Sequence, residues 1–436
     1  MPWNPLSAWP REQPWVWTTL AVWIVLLNGP AFIENMSARE WQTRPTLPDF
    51  IQEWSSARNY FDGLPIYTNL ATPIERYLGS SMEAKRSLIV VNAHPPTSVL
   101  LALPFACLDF GDAFLVWNIL SLLMLALSLW LVQRELKIPF AVWSILPLTV
   151  FLLLCSPLWQ QIYQGQLNLV LLPLLTGTWA AERAGRYRLA GVLLGAAITI
   201  KLFPGFLLVY FLLRRRWVVV TAAVVTVAVI TAVTAAVLGV ETYQAYVRVV
   251  LPEIQWFRVG WNNNSTAGFW YRLFDGAPEK KRAFSRSAPL WYSPGLASVA
   301  TWISSAIVVG VFAWTVRDKR SREDGDMAFA LAVTTMLLIS PITWEHYFLL
   351  LLAPLAIFWL ELPASKWIRL LFATIVMALW TSPALVWTVS GIGGRVARPI
   401  DNVTIISYQF YALLALLALG VRLQRQGNQA SLSNGA

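Results

Sequence analysis

Hydrophobic residues in this chain occur in long runs, and short polar segments separate most of the runs. A run of about 20 apolar residues is long enough to cross the hydrocarbon core of a bilayer as one helix. Several runs here contain 17 or more apolar residues. The pattern therefore predicts an all-α polytopic membrane protein, with about twelve crossings and both termini in the cytoplasm.

The runs also predict where helices and loops lie. We expect helices near residues 15–33, 113–132, 139–155, 169–181, 217–238, 292–316, 328–339, 347–360, 367–389 and 403–421. The first run lacks a small-residue cleavage site, so we expect a retained helix and not a cleaved signal peptide. Two long outer loops, residues 34–112 and 239–292, interrupt a single membrane domain over 1–421. A polar cytoplasmic tail, residues 422–436, follows it.

The segment 189–213 decides the topology. It is long enough for one span, but three arginines precede it and three follow it, and Lys201 and Pro204 lie in its middle. A single span would put one basic cluster outside and a lysine near the bilayer centre. A hairpin of two half-spanning helices keeps both basic clusters inside and brings Lys201 towards the outer surface. The pattern favours the hairpin over the single span.

Composition supports the membrane class. Of the 436 residues, 57% are hydrophobic and 13% are charged, whereas soluble domains carry about 25% charged residues. The net charge of +10 lies in short loops, as the positive-inside rule predicts, so it does not indicate a nucleic-acid partner. The two cysteines, Cys107 and Cys155, imply no disulfide framework.

With this topology, most of the polar residues of interest fall on the outer side of the membrane. They include both histidines of the chain. The set consists of Asp49, His94, the turn 163–168, Lys201, the stretch 262–265 and Glu345-His346. Polar groups on one face of a membrane bundle indicate a cavity at that surface.

Three of these residues are candidates for chemistry. Asp49 has the carboxylate that a general base needs, although it is also a good helix N-cap. Lys201 can face a phosphate, or it can simply snorkel to the headgroups. His346 can donate a hydrogen bond or a proton to a leaving phosphate, or it can cap a helix.

The weaker candidates are substrate-binding groups. Gln166 and Asn168 carry amides of the kind that hold sugar hydroxyls, or they satisfy backbone groups at a helix start. Asn263 and Ser265 are typical of turns, and Arg272 is either a binding group or surface charge. His94 and Glu345 complete the set. Phosphate-binding glycine patterns and metal-ligand spacings are missing from the sequence, so we expect no metal and no cofactor.

These residues lie in motifs that resemble glycosyltransferase family 87, whose members have the GT-C fold and include polyprenol-phosphate-mannose-dependent mannosyltransferases. The motifs follow the family order over most of the chain. They are Asp49-Phe50 with Gly63 and Tyr67, His94-Pro95-Pro96, Gly165-Gln166-Leu167-Asn168, Gly191 with Lys201, Pro204 and Arg214-Arg215-Arg216-Trp217, Asn263-Asn264-Ser265 with Arg272, and Ser340-Pro341-Ile342-Thr343-Trp344-Glu345-His346-Tyr347.

The resemblance implies a hexosyltransferase of the inverting type, with Asp49 as base and without a metal. The implied donor is a sugar of the mannose type on a polyprenyl phosphate, with Lys201 and His346 near its phosphate. The implied acceptor is a lipid or glycan at the outer side of the plasma membrane. The chain departs from the family pattern at Glu53-Trp54, where an aromatic pair is common, and at Asn264, where glutamine is usual. These departures leave the sugar and the acceptor open.

A transporter or lipid flippase without bond-forming activity is the alternative, and a structural membrane protein is a third class. Transporters often contain internal repeats and midplane charges. The sequence has no visible repeat symmetry, and its polar residues collect on one predicted face. The pattern therefore favours an enzyme.

Overall fold

A computed structural model describes residues 13–37, 47–79, 91–275, 287–317, 324–392 and 396–433. Parts of both predicted outer loops, residues 38–46, 80–90 and 276–286, lie outside the described residues. The described residues are mostly helical and form no β-strand. One isolated bridge joins Ser287 to Ala397. The all-α fold class is thus confirmed.

The helices of the described ranges are numbered here in chain order. The first eleven are α1 (Pro14–Met36), α2 (Ile51–Phe61), α3 (Ala71–Leu78), α4 (Pro96–Ala102), α5 (Phe110–Glu135), α6 (Ile145–Leu154), α7 (Ser156–Gln164), α8 (Asn168–Arg183), α9 (Tyr187–Ile200), α10 (Leu207–Leu213) and α11 (Trp217–Leu238). The others are α12 (Val240–Ala245), α13 (Leu251–Glu253), α14 (Thr266–Phe274), α15 (Pro294–Val316), α16 (Asp324–Ile339), α17 (Leu352–Glu361), α18 (Lys366–Trp380), α19 (Pro383–Val389), α20 (Pro399–Val403) and α21 (Tyr408–Ser433). Short 3-10 turns occur at Leu103–Phe105, Val142–Ser144, Phe203–Phe206, Ile254–Val259 and Glu345–Leu351, and a π turn at Tyr246–Val250.

Five helical segments of the described ranges are long and apolar enough to cross a membrane. They are α1, α5, α11, α15 and the segment Pro399–Gln426. Two bent pairs raise the number to seven if each pair is one span: Val142–Leu154 with Ser156–Gln164, bent by 64°, and Lys366–Trp380 with Pro383–Val389, bent by 93°. The predicted number of about twelve crossings includes shorter helices such as α9 and α10 and stays a prediction.

The chain folds back on itself between α9 and α10. The guanidinium of Arg216 lies 4.7 Å from the ring centre of Tyr187, so the two ends of the segment meet. Glu182, at the end of α8, lies 3.7 Å from Arg214 at the end of α10. Lys201 is therefore at the tip of a hairpin, as the arrangement of basic residues predicts.

Two glycines bring α9 close to α11, which runs parallel to it. A Cβ atom at Gly191 would lie 2.4 Å from the carbonyl oxygen of Val219, and one at Gly195 would lie 2.6 Å from that of Ala223. Glycines four residues apart allow helix backbones in membranes to approach each other closely. This contact holds the hairpin against the bundle.

A group of ion pairs marks the end of the bundle that carries the basic residues. Arg183 is paired with Asp326, and its Nε also lies 3.8 Å from Glu135. The indole nitrogen of Trp179 donates to Asp326 at 3.0 Å. Helix α8 rises by about 22 Å between Asn168 and Arg183, at 1.5 Å per residue. The ion pairs around Arg183 therefore lie about 22 Å from the other end of the bundle.

The described parts of the predicted outer loops form a folded layer of helices α2–α4 and α12–α14. Trp54 donates its indole N–H to the Leu108 carbonyl at 3.2 Å, and the Arg58 guanidinium lies 4.6 Å from the Trp54 ring. Tyr67 and Tyr246 contact each other across the two loops, with ring centres 5.8 Å apart. The two loops therefore pack together as a cover on one end of the bundle.

The C-terminal segment is more helical than predicted. Helix α21 extends to Ser433, so the described part of the predicted tail 422–436 continues a helix. The Arg425 guanidinium lies 3.6 Å from the ring centre of Trp314, which joins this helix to α15.

We expect Gly191→Ala to destabilise the protein by about 1–3 kcal/mol, because the added methyl overlaps the backbone of α11. The thermal unfolding temperature in detergent checks this. The matched control is Gly310→Ala in α15, where an added Cβ meets nothing within 4 Å. Equal unfolding temperatures for the two variants would contradict the close approach of α9 and α11.

Candidate active site

A cavity of about 380 Å³ opens beneath the outer layer. This volume lies within the usual range of small-ligand sites, which is about 300–1,000 Å³. Its wall combines the first outer loop, the turn between α7 and α8, the hairpin tip, the second outer loop and the segment 340–347. The lining includes Asp49, Gln52, His94, Gln160, Gln164, Gln166, Lys201, Phe203, Tyr246, Arg258, Asn262, Trp344, Glu345, His346 and Tyr347.

Asp49 is attached to the end of α7. Its backbone N–H donates to the side-chain oxygen of Gln164 at 3.3 Å, and the N–H of Phe50 donates to the Gln164 carbonyl at 3.0 Å. The Phe50 ring stacks on Trp117, with ring centres 4.8 Å apart. Helix α2 has Phe50 at its N-cap position, so Asp49 is not an N-cap and its carboxylate faces the cavity.

The turn between α7 and α8 requires a glycine. Gly165 has a φ of +63°, and a Cβ there would lie 2.6 Å from the Phe114 ring and 2.8 Å from the Cβ of Phe50. The indole N–H of Trp117 donates to the Gly165 carbonyl at 2.8 Å. The left-handed, crowded position brings the next residue, Gln166, beside Asp49.

The side-chain amide of Gln166 connects two charged groups. Its Nε2 donates to Oδ2 of Asp49 at 2.5 Å, and its Oε1 accepts from the Lys201 ammonium at 3.0 Å. Lys201 also donates to Asn168 at 3.4 Å and to the hydroxyl of Tyr347 at 3.3 Å. Lys201 is only 4% exposed, so its amine is held inside the protein and does not snorkel to the headgroups.

The environment of Asp49 adjusts its acidity. Burial raises the pKa of the Asp49 carboxyl from 3.8 to about 6. The hydrogen bond from Gln166 and the positive charge of Lys201 oppose this shift in pKa, while the charge of Glu53 adds to it. A carboxylate with a pKa near the working pH suits a general base.

His346 also lines the cavity, in the 3-10 turn that follows Trp344. Trp344 occupies the N-cap position, so His346 does not cap this turn. His346 is 6% exposed, and its Nε2 has no hydrogen-bond partner among the described residues. Glu345 also lines the cavity, and its carboxylate accepts from Ser156 at 3.4 Å. A buried polar atom without a partner indicates a site for a ligand.

His94 lines the cavity on the same wall as Asp49. Its Nδ1 is hydrogen-bonded to the carboxylate of Glu53, which is 2% exposed. The sequence singled out Glu53 only as a departure from the family pattern. The partnership with His94 joins residues 41 positions apart, so no local pattern predicts it.

Four predicted binding residues do not line the cavity: Asn168, Asn263, Ser265 and Arg272. Asn168 instead donates to the side-chain oxygen of Gln161 at 3.2 Å and accepts from Lys201. Asn263 accepts at its side-chain oxygen from the Thr343 N–H and the Ser265 hydroxyl, both at 2.9 Å. Arg272 is fully buried and donates to the carbonyls of Gly260 at 3.2 Å and Asn263 at 2.5 Å. Asn263 and Ser265 therefore fasten the second outer loop to the segment 340–347. Arg272 connects parts of that loop to each other and to Ser407, and it is not surface charge. The contact of these four residues with substrate stays a prediction.

Arg258 is a cavity residue that the sequence analysis did not select. It lines the cavity and donates to the hydroxyl of Tyr271 at 3.1 Å. Its only sequence signal is a cation within the second outer loop. Together with Lys201, it adds positive charge to the cavity wall.

Within the described ranges, no three His, Cys, Asp or Glu side chains converge as a metal-binding group. Independence from metal stays a prediction.

Comparison with known proteins identifies a family and two relatives. The model of glycosyltransferase family 87 matches residues 92–341. The chain is 24% identical over 314 residues to a polyprenol-phosphate-mannose-dependent alpha-(1-2)-phosphatidylinositol mannoside mannosyltransferase of Mycobacterium tuberculosis, covering 68% of this chain and 66% of that protein. It is 26% identical over 282 residues to a polyprenol-phosphate-mannose-dependent alpha-(1-2)-phosphatidylinositol pentamannoside mannosyltransferase of the same species, covering 63% and 59%. The matches thus span less than two thirds of the length of either relative.

We expect Gly165→Ala to lower the unfolding temperature more than Gly185→Ala. Both glycines have a positive φ, of +63° and +71°, so both alanines carry backbone strain of about 1–2 kcal/mol. An added Cβ at Gly165 also overlaps the Phe114 ring, whereas one at Gly185 meets nothing within 4 Å. Similar decreases in unfolding temperature for the two variants would show that the crowding around Gly165 does not affect stability.

Proposed function

Since this chain belongs to glycosyltransferase family 87, we propose that it transfers a sugar from a polyprenyl phosphate to a hydroxyl group of a lipid or glycan acceptor. The proposed sugar is of the mannose type, because both relatives are named for a polyprenol-phosphate-mannose donor. The observation that carries the proposal is the partly buried Asp49 carboxylate at the cavity, joined through Gln166 to Lys201.

Asp49 acts as general base in this proposal. Its carboxylate takes the proton of the acceptor hydroxyl while that oxygen attacks the anomeric carbon of the donor sugar. The new bond forms between acceptor oxygen and anomeric carbon as the bond from that carbon to the phosphate oxygen breaks. The electron pair of the broken bond leaves with the lipid phosphate. The sugar is transferred with inversion, since the attack and departure occur on opposite faces of one carbon.

Lys201 and His346 meet the leaving phosphate in this proposal. The departing polyprenyl phosphate gains one negative charge, and preorganised donors in a water-poor cavity stabilise such a charge strongly. Lys201 supplies a fixed cation, and the unpartnered Nε2 of His346 supplies a hydrogen-bond donor. Arg258 lines the same cavity and adds a second cation.

The distribution of charge supports an active site at the outer side of the plasma membrane. Basic residues collect around Arg183, Arg214 and Arg216, at the end of the bundle where α8 and α10 finish. The positive-inside rule assigns that end to the cytoplasm. The cavity is lined by Gln166 and Lys201, just before α8 begins and where the hairpin turns.

The acceptor in this proposal is a lipid that carries a polyhydroxylated ring. The two relatives are named for phosphatidylinositol mannoside acceptors. An acceptor of this kind keeps its acyl chains in the outer leaflet and presents its ring hydroxyls to the cavity.

We expect Asp49→Asn to reduce transfer by about a thousandfold or more, because the amide cannot accept the proton in the transition state. Purified protein in lipid is assayed with radiolabelled polyprenyl-phosphate sugars and phosphatidylinositol mannosides. The control is Asp62→Asn, which removes a more exposed carboxylate that pairs with Arg76 at 3.1 Å in the same outer layer. Full activity in Asp49→Asn would reject the base assignment. Movement of the lipid-linked sugar without a new glycosidic bond would favour a transporter.

We expect kcat/KM to rise with pH through about 6, because Asp49 works only when it is deprotonated and its pKa is about 6. Below that midpoint the rate falls about tenfold for each pH unit. The Gln166 hydrogen bond lowers the pKa of Asp49, so Gln166→Leu should move the midpoint to higher pH. A pH–rate profile of both proteins measures this. A profile that is flat from pH 5 to pH 8 would contradict it.

A further inference from the structure

We infer that Glu53 and His94 form the acceptor subsite, in which the free ring nitrogen of His94 binds a second hydroxyl beside the one that reacts. This inference rests on the proposed transfer activity, and it assigns a function to Glu53, a residue that departs from the family pattern.

The first step is the pairing of Glu53 with His94. The carboxylate of Glu53 lies against Nδ1 of His94, and the Glu53 side chain is 2% exposed. A buried carboxylate is costly unless it is paired, so this contact keeps a donor on Nδ1. The other ring nitrogen, Nε2, has no hydrogen-bond partner among the described residues. Glu53 thereby selects the tautomer that leaves a lone pair on Nε2.

The second step is the rigidity of the loop that carries His94. The backbone N–H of His94 donates to the side chain of Asn92 at 3.0 Å, and its carbonyl accepts from the Tyr67 hydroxyl at 2.6 Å. Asn92 in turn donates to the Gln52 carbonyl and to the Ser56 hydroxyl, both at 3.1 Å. Helix α2 therefore holds the imidazole in one orientation at the cavity wall.

The third step is the position of the pair relative to the reaction. Asp49, Gln52 and His94 belong to the wall from the first outer loop, whereas Lys201 and His346 belong to the other walls. Substitution with inversion puts the attacking oxygen and the leaving phosphate on opposite sides of the anomeric carbon. The leaving phosphate meets Lys201 and His346, so the acceptor ring lies along the wall of Asp49 and His94.

The last step is the chemistry that this wall recognises. Gln52 uses its side-chain oxygen to accept from the Ala93 N–H at 3.0 Å, and its amide nitrogen is left as a donor that lines the cavity. His94 offers an acceptor beside it. A donor and an acceptor next to a general base suit a ring with adjacent hydroxyls, since each hydroxyl both donates and accepts. The subsite therefore takes a sugar or cyclitol ring.

Steady-state kinetics with polyprenyl-phosphate mannose and phosphatidylinositol mannoside test the inference. His94→Asn keeps an N–H near the position of Nδ1 but removes Nε2. We expect the KM for the acceptor to rise about tenfold, since a buried hydrogen bond is lost. The KM for the donor and the unfolding temperature stay unchanged. Glu53→Gln should raise the acceptor KM in the same way, whereas Asp62→Asn, in the same layer, should leave it unchanged.

Acceptor analogues that each lack one hydroxyl provide a readout that a purely structural role would not change. The wild-type protein should lose about tenfold in kcat/KM on one analogue. His94→Asn should not discriminate against that analogue, and His94→Gln, whose amide reaches towards the position of Nε2, should recover part of the discrimination.

An acceptor KM that is unchanged in both His94→Asn and Glu53→Gln would overturn the acceptor subsite alone. So would equal losses of kcat/KM on all analogues together with a lowered unfolding temperature of the variants. A rise in the donor KM instead of the acceptor KM would also overturn it. A wild-type protein that transfers no sugar would overturn the proposed function and this inference together.

Discussion

The hydrogen bonds of one amide, that of Gln166, determine the arrangement of the whole cavity. Asp49 comes from the first predicted outer loop and is partly buried, whereas Lys201 lies at the tip of the hairpin and is buried. Two opposite charges removed from water require partners with good geometry. The amide donates to the acid and accepts from the ammonium, so it satisfies both groups while it keeps them apart. The acid then remains available to a substrate.

The position of Lys201 depends on packing far from the cavity. The hairpin that carries it is joined at its base to Glu182 by Arg214 and by the hydroxyl of Tyr210, which donates at 2.8 Å. Along the hairpin, Gly191 and Gly195 allow close contact with the backbone of α11. Because the base and one side are held, the tip has few alternative positions. The ion pairs at the basic end of the bundle thus contribute to the geometry of the cavity at the other end.

The proposed transfer assigns different cavity groups to its two tasks. In that proposal Lys201, Arg258 and the unpartnered imidazole of His346 meet the leaving phosphate. Asp49 and the Glu53–His94 pair meet the attacking acceptor. Such a separation follows from the reaction itself, since attack and departure occur on opposite faces of one carbon. The flexible part of the substrate, the lipid chain, needs no polar partner and can remain in the bilayer.

Hydropathy and charge are local properties, and they determined several features of this protein by themselves. The apolar runs predicted the all-α membrane class, the basic flanks of residues 189–213 predicted the hairpin, and the outer-side polar residues included Asp49 and Lys201. The tertiary structure alone decided which of these groups meet. Arg272 is buried as a fastening of the second outer loop, and Glu53 pairs with a histidine 41 positions away. Contacts of this kind arise from the packing of segments that are distant in sequence, and no local pattern in a single sequence records them.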